Sequence, residues 1–130
     1  MILNEILSGI KIRKIHGDGG LEISGIVLDS QKVERGYLFA ALRGEKQDGH
    51  SYIKPALERG AAALLLERVP DNIPDGVTVV EVEDSRVALA GVSANFYGLP
   101  ARSLTMVGIT GTNGKTTITY LLESIWKERK

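Results

Sequence analysis

The sequence predicts an α/β protein. A small mixed-sheet domain reaches to about residue 100 and is followed by the first strand, phosphate loop and helix of a truncated nucleotide-binding domain. Three observations carry this expectation. Short apolar runs rich in β-branched residues alternate with stretches of helical periodicity before residue 98. Gly98-Leu99-Pro100-Ala101-Arg102-Ser103 is the one convincing linker, so the first domain is read as 1–100 and the second as 101–130. Beyond it, Gly111-Thr112-Asn113-Gly114-Lys115-Thr116-Thr117 stands between a strand-like segment and an amphipathic one.

Taken in order, Ile2, Leu3, Ile6 and Leu7 suggest a short helix ended by Gly9. Leu21 to Leu28 reads as a strand, with Gly25 a candidate bulge. Tyr37 to Leu42 makes a second strand, and Gly44 to Gly49 a polar loop. Ile53, Ala56 and Leu57 then share a helical face that stops at Gly60, with Pro55 confined to the first turn. Ala61 to Leu66 and Val77 to Val82 are strand-like, separated by a loop with two prolines, Val69 to Gly76. Asp84 or Ser85 caps a helix in which Leu89, Val92 and Phe96 share a face, closed by Gly98 and Pro100. This order implies at least one right-handed crossover.

Composition narrows the function classes. The 130 residues are 43% hydrophobic and 25% charged, enough to bury a real core. Lys+Arg and Asp+Glu number 16 each, and no basic stripe is visible. Nucleic acid and an anionic membrane are therefore not expected as partners. Cysteine is absent, which excludes disulfides and thiolate metal sites. The start, Met1 to Glu5, lacks a basic n-region and a long apolar segment, so no signal peptide is read there. Ala61 to Leu66, the longest aliphatic run, is too short to cross a bilayer. A cytosolic protein is expected.

The glycine-rich run carries the clearest chemistry. Leu104 to Ile109 reads as a buried strand, and Ile118, Leu121, Leu122, Ile125 and Trp126 fall on one helical face. Gly111 and Gly114 leave backbone N–H groups open to a triphosphate, and the helix start adds its positive dipole end. Lys115 supplies a mobile charge for the β- and γ-phosphates of ATP. The Thr116 hydroxyl is placed to hold Mg²⁺, and Thr117 adds a further hydroxyl for phosphate contact or capping. The strict pattern asks for glycine at position 109, where this chain has Ile109. A glycine turn closing a strand–helix unit would not account for the lysine and two threonines together. Only one strand and one helix of this domain are present, and such a domain needs several parallel strands, so the chain is expected to be a fragment.

These residues resemble a family. Gly108-Ile109-Thr110-Gly111-Thr112-Asn113-Gly114-Lys115-Thr116-Thr117 looks like the ATP loop of the Mur ligases, which lengthen the peptide of the bacterial cell-wall precursor. Leu28-Asp29-Ser30, Gly36 to Ala41, Gly44, Asp48-Gly49 and Gly60 to Ala63 follow the uridine-nucleotide-binding N-terminal domain of the members that add the third residue or the terminal dipeptide. The loop is similar to that of the third-residue enzymes; the dipeptide-adding ones more often have Ser where this chain has Thr112. Gln31 departs from the arginine that commonly follows Asp-Ser in the family.

The resemblance implies an amide-bond ligase. ATP phosphorylates the D-glutamyl carboxylate of UDP-N-acetylmuramoyl-L-alanyl-D-glutamate, and the amine of meso-diaminopimelate or L-lysine displaces phosphate. It also implies that Leu28, Ser30 and Glu45-Lys46-Gln47 contact the UDP-sugar, and that Gly111, Thr112, Asn113, Gly114, Lys115, Thr116 and Thr117 hold ATP. Lys115 would act in catalysis and Thr116 on the metal. The general base, a carbamylated lysine and the amino-acid pocket would lie beyond Lys130, so this chain alone is expected to be inactive. Its apolar tail is expected to drive self-association.

Blander readings stand beside these. Asp29-Ser30 is equally natural in a turn whose side chains bond nearby backbone. His16 and His50 lack partners at ligand spacing and read as structural or solvated. Trp126 is expected in a core. Lys127, Arg129 and Lys130 suit the negative end of a helix. Asp18, Asp29 and Asp48 show no paired-carboxylate arrangement. The alternatives are the dipeptide-adding ligase, a non-catalytic uridine-nucleotide-binding module and an unrelated P-loop kinase or switch protein.

Overall fold

A computed structural model describes residues 1–42 and 49–128. The chain divides into two compact units, Met1–Leu99 and Pro100–Lys130.

The first unit is an α/β sandwich. In chain order it holds α1 (Leu3–Ile6), β1 (Ile12–His16), β2 (Gly25–Val27), β3 (Tyr37–Ala40), α2 (Ile53–Glu58), β4 (Ala63–Leu66), β5 (Thr78–Val82) and α3 (Ser85–Phe96). Short 3-10 turns lie at Ser30–Lys32 and Gly49–Tyr52. The five strands form one sheet in the order β1-β5-β4-β3-β2. β2, β3, β4 and β5 run parallel, and β1 closes one edge antiparallel to β5. The sheet is therefore mixed, as expected.

Strand alternation sends successive side chains to opposite faces. Leu38, Ala40, Ala63, Leu65, Val80 and Val82 join Leu3, Ile6, Leu7, Ala88 and Val92 of α1, its flank and α3 in one core. Phe39, Leu64, Leu66 and Val79 join Val33, Ile53 and Ala56 in the other, on the α2 side. Both faces are covered, which explains why β4 reads as an unbroken apolar run.

Several local expectations hold with shifted bounds. Asp84 is the cap of α3, its carboxylate accepting from the N–H groups of Arg86 at 2.9 Å and Val87 at 3.0 Å. Pro55 sits at the third position of α2, inside the first turn. Val92 is fully buried on the inner face of α3, with Leu89 and Phe96 packed at its margin.

Other expectations are corrected. The ladder of the second strand covers only Gly25–Val27. Upstream, Ile23 N–H donates to the Met1 carbonyl at 2.8 Å and Leu3 N–H to the Leu21 carbonyl at 2.9 Å, so 21–23 serve the N-terminus instead of the sheet. Gly25 is not a bulge: it opens a regular parallel pair opposite Tyr37, whose ring covers the space a side chain there would need. β1 was not anticipated. A register shift between Ile12 and Lys14 breaks its alternation, which removes the period-2 signal.

The second unit holds a 3-10 turn (Pro100–Ser103) and one helix, α4 (Lys115–Glu128). Leu104–Ile109 forms no strand ladder among the described residues. A single apolar segment has no neighbouring strand to complete its hydrogen bonds. α4 buries no residue, and Trp126 is 51% exposed, not in a core. Ile118, Leu121 and Ile125 are exposed along the same helix. Lys127 bonds Glu123 one turn earlier at 2.6 Å, while Arg129 and Lys130 lie outside the described residues.

One polar contact ties the first unit together across its sequence. The Asn95 side-chain amide donates to the carbonyls of Ile6 and Ser8, both at 2.8 Å, and so fastens α3 to the end of α1. Asn95→Ala leaves both carbonyls without this donor and should cost about 1–3 kcal/mol. Urea unfolding checks this: the midpoint should fall with the slope unchanged, and an unchanged midpoint would show that the contact contributes nothing.

Candidate functional site

Parallel strands place their carboxyl ends on one side of a sheet, and the loops leaving those ends are the natural ligand-binding edge of an open α/β fold. Val27 of β2 lies opposite Phe39 of β3, which lies opposite Leu64 of β4, so the three ends are nearly level. Leu28-Asp29-Ser30 leaves β2 at this edge, Ala41-Leu42 leave β3, and Glu67-Arg68 leave β4.

Leu28 is 53% exposed, an apolar side chain held in water beside the strand end. Such a side chain is available to cover a flat ligand ring. Asp29 caps the following 3-10 turn, its carboxylate accepting from Gln31 N–H at 2.9 Å. That is the turn role anticipated for it. Ser30, at the head of the turn, is buried. Gln31 contributes its backbone N–H to the cap. Glu45, Lys46 and Gln47 lie outside the described residues.

The ends of the loop after β3 are pinned. Ala41 N–H continues the ladder to the Leu65 carbonyl at 3.1 Å, and Gly49 N–H donates to the Leu42 carbonyl at 3.0 Å. A side chain at Gly49 would stand 2.5 Å from the Leu42 carbonyl oxygen and 2.8 Å from its nitrogen. Glycine is thus required by space, because backbone atoms cannot give way. The next residue, His50, places Nε2 3.0 Å from the Arg68 carbonyl oxygen. This backbone contact agrees with the structural reading of His50 made from the sequence.

Two perturbed ionisable groups lie away from this edge. The Glu34 charge beside Tyr37 pushes its phenol above the usual range, at the amino end of β3. The Lys11 ammonium, hydrogen-bonded to Glu83, holds that carboxyl below the usual range, beyond β5. His16 Nε2 meets the Glu81 carboxylate at 3.4 Å across the β1–β5 pair, an acidic partner that only folding supplies. No cluster of three His, Asp or Glu that could hold a metal occurs among the described residues.

The second unit carries the glycine loop. Gly111 has φ +147° and Gly114 φ +77°, conformations that L side chains rarely adopt. A Cβ on Gly114 would meet nothing within 4 Å, so conformation and not space demands glycine there. Lys115 opens α4, and its ammonium folds back to donate to the Gly111 carbonyl. Ile118 N–H closes the first turn on the Gly114 carbonyl at 3.0 Å. The amides before it have no helical acceptor and point back toward the loop. Thr112, Asn113, Thr116 and Thr117 are all exposed around it. An exposed lysine, free amides and a helix start together fit a polyphosphate. With only the Thr116 hydroxyl to offer, a magnesium ion there would take most of its oxygens from phosphate and water.

Comparison with known proteins gives the family of the chain. Residues 22–97 match the family model for the Mur ligase family, catalytic domain. A UDP-N-acetylmuramoyl-L-alanyl-D-glutamate--2,6-diaminopimelate ligase of Bacteroides fragilis is 46% identical over 127 residues, 98% of this chain and 26% of that protein. Its counterpart in Caldanaerobacter subterraneus subsp. tengcongensis is 45% identical over 129 residues, 99% of this chain and 26% of that protein. Among solved structures, the UDP-N-acetylmuramoylalanyl-D-glutamyl-2,6-diaminopimelate--D-alanyl-D-alanyl ligase of Acinetobacter baumannii covers 82% of this chain and 23% of its own, with TM-score 0.60 and 32% identity. The MurF ligase of Thermotoga maritima, solved with ADP, covers 75% of this chain and 21% of its own, with TM-score 0.54 and 34% identity. The chain spans about a quarter of the length of the curated relatives it matches.

Proposed function

The chain belongs to the Mur ligase family, and from that membership we propose that it is part of an ATP-dependent ligase of cell-wall precursor synthesis. The reaction adds the third residue to UDP-N-acetylmuramoyl-L-alanyl-D-glutamate. The observation that carries this reading is the 46% identity to a ligase named for 2,6-diaminopimelate, extending over both motif-bearing stretches. That name favours diaminopimelate over L-lysine as the added amino acid. The dipeptide-adding ligase is the second reading, favoured by the solved structures this chain resembles. Their identities of 32% and 34% are lower, and Thr112 matches the third-residue pattern.

In this reading the two units have separate tasks. Leu28 and Ser30 at the end of β2, with Glu45, Lys46 and Gln47, recognise the uridine nucleotide. Gly111 to Thr117 hold the phosphates of ATP. A carboxylate oxygen of the D-glutamyl residue attacks the γ-phosphorus, ADP leaves, and an acyl phosphate forms. The incoming amine attacks its carbonyl carbon and phosphate departs. Phosphoryl transfer asks the protein mainly for position and charge, and Lys115 supplies charge to the β- and γ-phosphates. A magnesium ion at Thr116 would add the remaining neutralisation. The reading sets this chemistry in the cytoplasm. No helix among the described residues is long and apolar enough to cross a membrane.

Three outcomes test the proposal. In the whole enzyme, Lys115→Ala should lower kcat by about 10²–10³-fold while the KM for the UDP-precursor changes little. A variant that keeps most of its kcat would mean that Lys115 does not face the transferring phosphate.

The 130-residue chain by itself should show no phosphate release with all substrates present, yet still bind UDP weakly. Amide shifts on titration with UDP should centre on Leu28, Ser30 and Lys46. Turnover at an enzymatic rate, or shifts confined to Gly111–Thr117, would each overturn the assignment.

The exposed side chains of α4 give the third. Ile118, Leu121, Ile125 and Trp126 are each about half exposed, and each forgoes about half of the roughly 1.5–3 kcal/mol that full burial gives. The chain alone should therefore self-associate through α4, with light-scattering mass rising with concentration. A constant monomer mass would refute this.

A further inference from the structure

We propose that Asn113 is a site of spontaneous deamidation, and that a polyphosphate seated on the glycine loop shields it. The chain has four asparagines, Asn4, Asn72, Asn95 and Asn113, and only Asn113 precedes a glycine. The reaction requires the backbone nitrogen of the following residue to reach the side-chain carbonyl carbon, and a Cβ on that residue crowds the approach. Gly114 has none, and nothing lies within 4 Å of where one would stand. Both residues are exposed. Among the described residues the Asn113 side-chain amide has no hydrogen-bond partner, and the Gly114 N–H has no acceptor. Asn95 shows the contrast: it lies inside α3, precedes Phe96, and its amide is held by two carbonyls at 2.8 Å.

The Gly114 nitrogen loses its proton to hydroxide, and its lone pair attacks the Asn113 side-chain carbonyl carbon. The tetrahedral carbon expels ammonia, which takes up a proton from water, and a five-membered succinimide remains. Water then adds to one of the two imide carbonyls and breaks its bond to nitrogen. Opening at the side-chain carbonyl gives aspartate; opening at the backbone carbonyl gives isoaspartate, with the main chain routed through the former side chain. Water is the one co-reactant, and nothing is oxidised or reduced. The Gly114 nitrogen stands just before α4, whose positive dipole end favours the negative charge that develops there. Either product sets a carboxylate between Gly111 and Lys115. In the reading of this loop given above, on which the shielding rests, that charge opposes the phosphates of ATP. The same reading supplies the shield, because a Gly114 N–H that donates to a phosphate oxygen keeps its proton.

The test holds the 130-residue chain in warm, mildly alkaline buffer and follows it by peptide-mapping mass spectrometry. The peptide carrying Asn113 should gain one mass unit and contain both aspartate and isoaspartate. Asn72 is the internal reference: it is exposed in a loop but precedes the β-branched Ile73, and should convert at least about tenfold more slowly. Gly114→Ala should slow the change at Asn113 about tenfold, a barrier about 1.4 kcal/mol higher. No mass gain at Asn113, a rate equal to that of Asn72, or an unchanged rate in Gly114→Ala would overturn the site. In the whole enzyme, ATP without the other substrates, at about tenfold above its Kd, should cut the rate about tenfold, in step with the share of loops left empty. Equal rates with and without ATP would overturn the shielding, and with it the reading of Gly111–Thr117 as the ATP loop. The mass gain of the chain without ATP decides the modification independently of that reading.

Discussion

β4 has no residue in contact with water: Ala63, Leu64, Leu65 and Leu66 are all fully buried. A strand buried on both faces cannot exist at the surface of a two-layer structure, so the sheet must be covered from both sides. The covering elements follow from that requirement. α2 and the turn after β2 supply Ile53, Ala56 and Val33 to one face, and α1 and α3 supply Leu3, Ile6, Ala88 and Val92 to the other. Because β2 to β5 are parallel, each connection must return the chain to the start of the next strand. All the loops that leave carboxyl ends therefore gather on one edge. The edge at which these loops gather is a consequence of the buried strand.

The limits of that sheet are managed differently at its two sides. β1 pairs antiparallel on β5 and carries Arg13 and Lys14 on its exposed positions, charges that discourage pairing with a further strand. β2 at the other edge is only three residues long. Its brevity limits the unpaired backbone on offer. Tyr37 also lays its ring over Gly25, so a side chain from β3 fills the space that the glycine leaves.

What was legible in the sequence follows from how each element is stabilised. β3 and β4 announced themselves as short, largely apolar runs buried on both faces, and β5 through Val79, Val80 and Val82. α3 was legible through its cap, since Asp84 has to accept from the first-turn amides whatever packs nearby. β1 was not, because a register shift after Ile12 destroys the alternation that would have revealed it. The strand drawn from Leu21 was too long because β propensity does not specify a partner. Ile23 pairs with Met1, a contact between distant parts of the chain. Leu104–Ile109 failed for the related reason that a strand is a property of a pair. His50 was read as structural or solvated, but its acceptor could not be named, because the Arg68 carbonyl belongs to the backbone and leaves no mark on the residue pattern.

The same distinction separates the two candidate binding stretches. A phosphate loop works through backbone amides, glycine φ values and one lysine, all of which are local in sequence. Gly111 and Gly114 adopt their positive φ, and Lys115 stands at the start of α4, within a unit that shows no strand among the described residues. Its chemistry can be read from seven consecutive residues. The arrangement at the strand ends is not local. Leu28 and Ser30 follow β2, Gly49 and His50 come after β3, and Arg68 follows β4, three exits that only the parallel sheet brings to one edge. A single substitution in the glycine loop should therefore act where it is made. A substitution in the first unit can act at the strand-end edge from a strand away, because position there is set by the sheet.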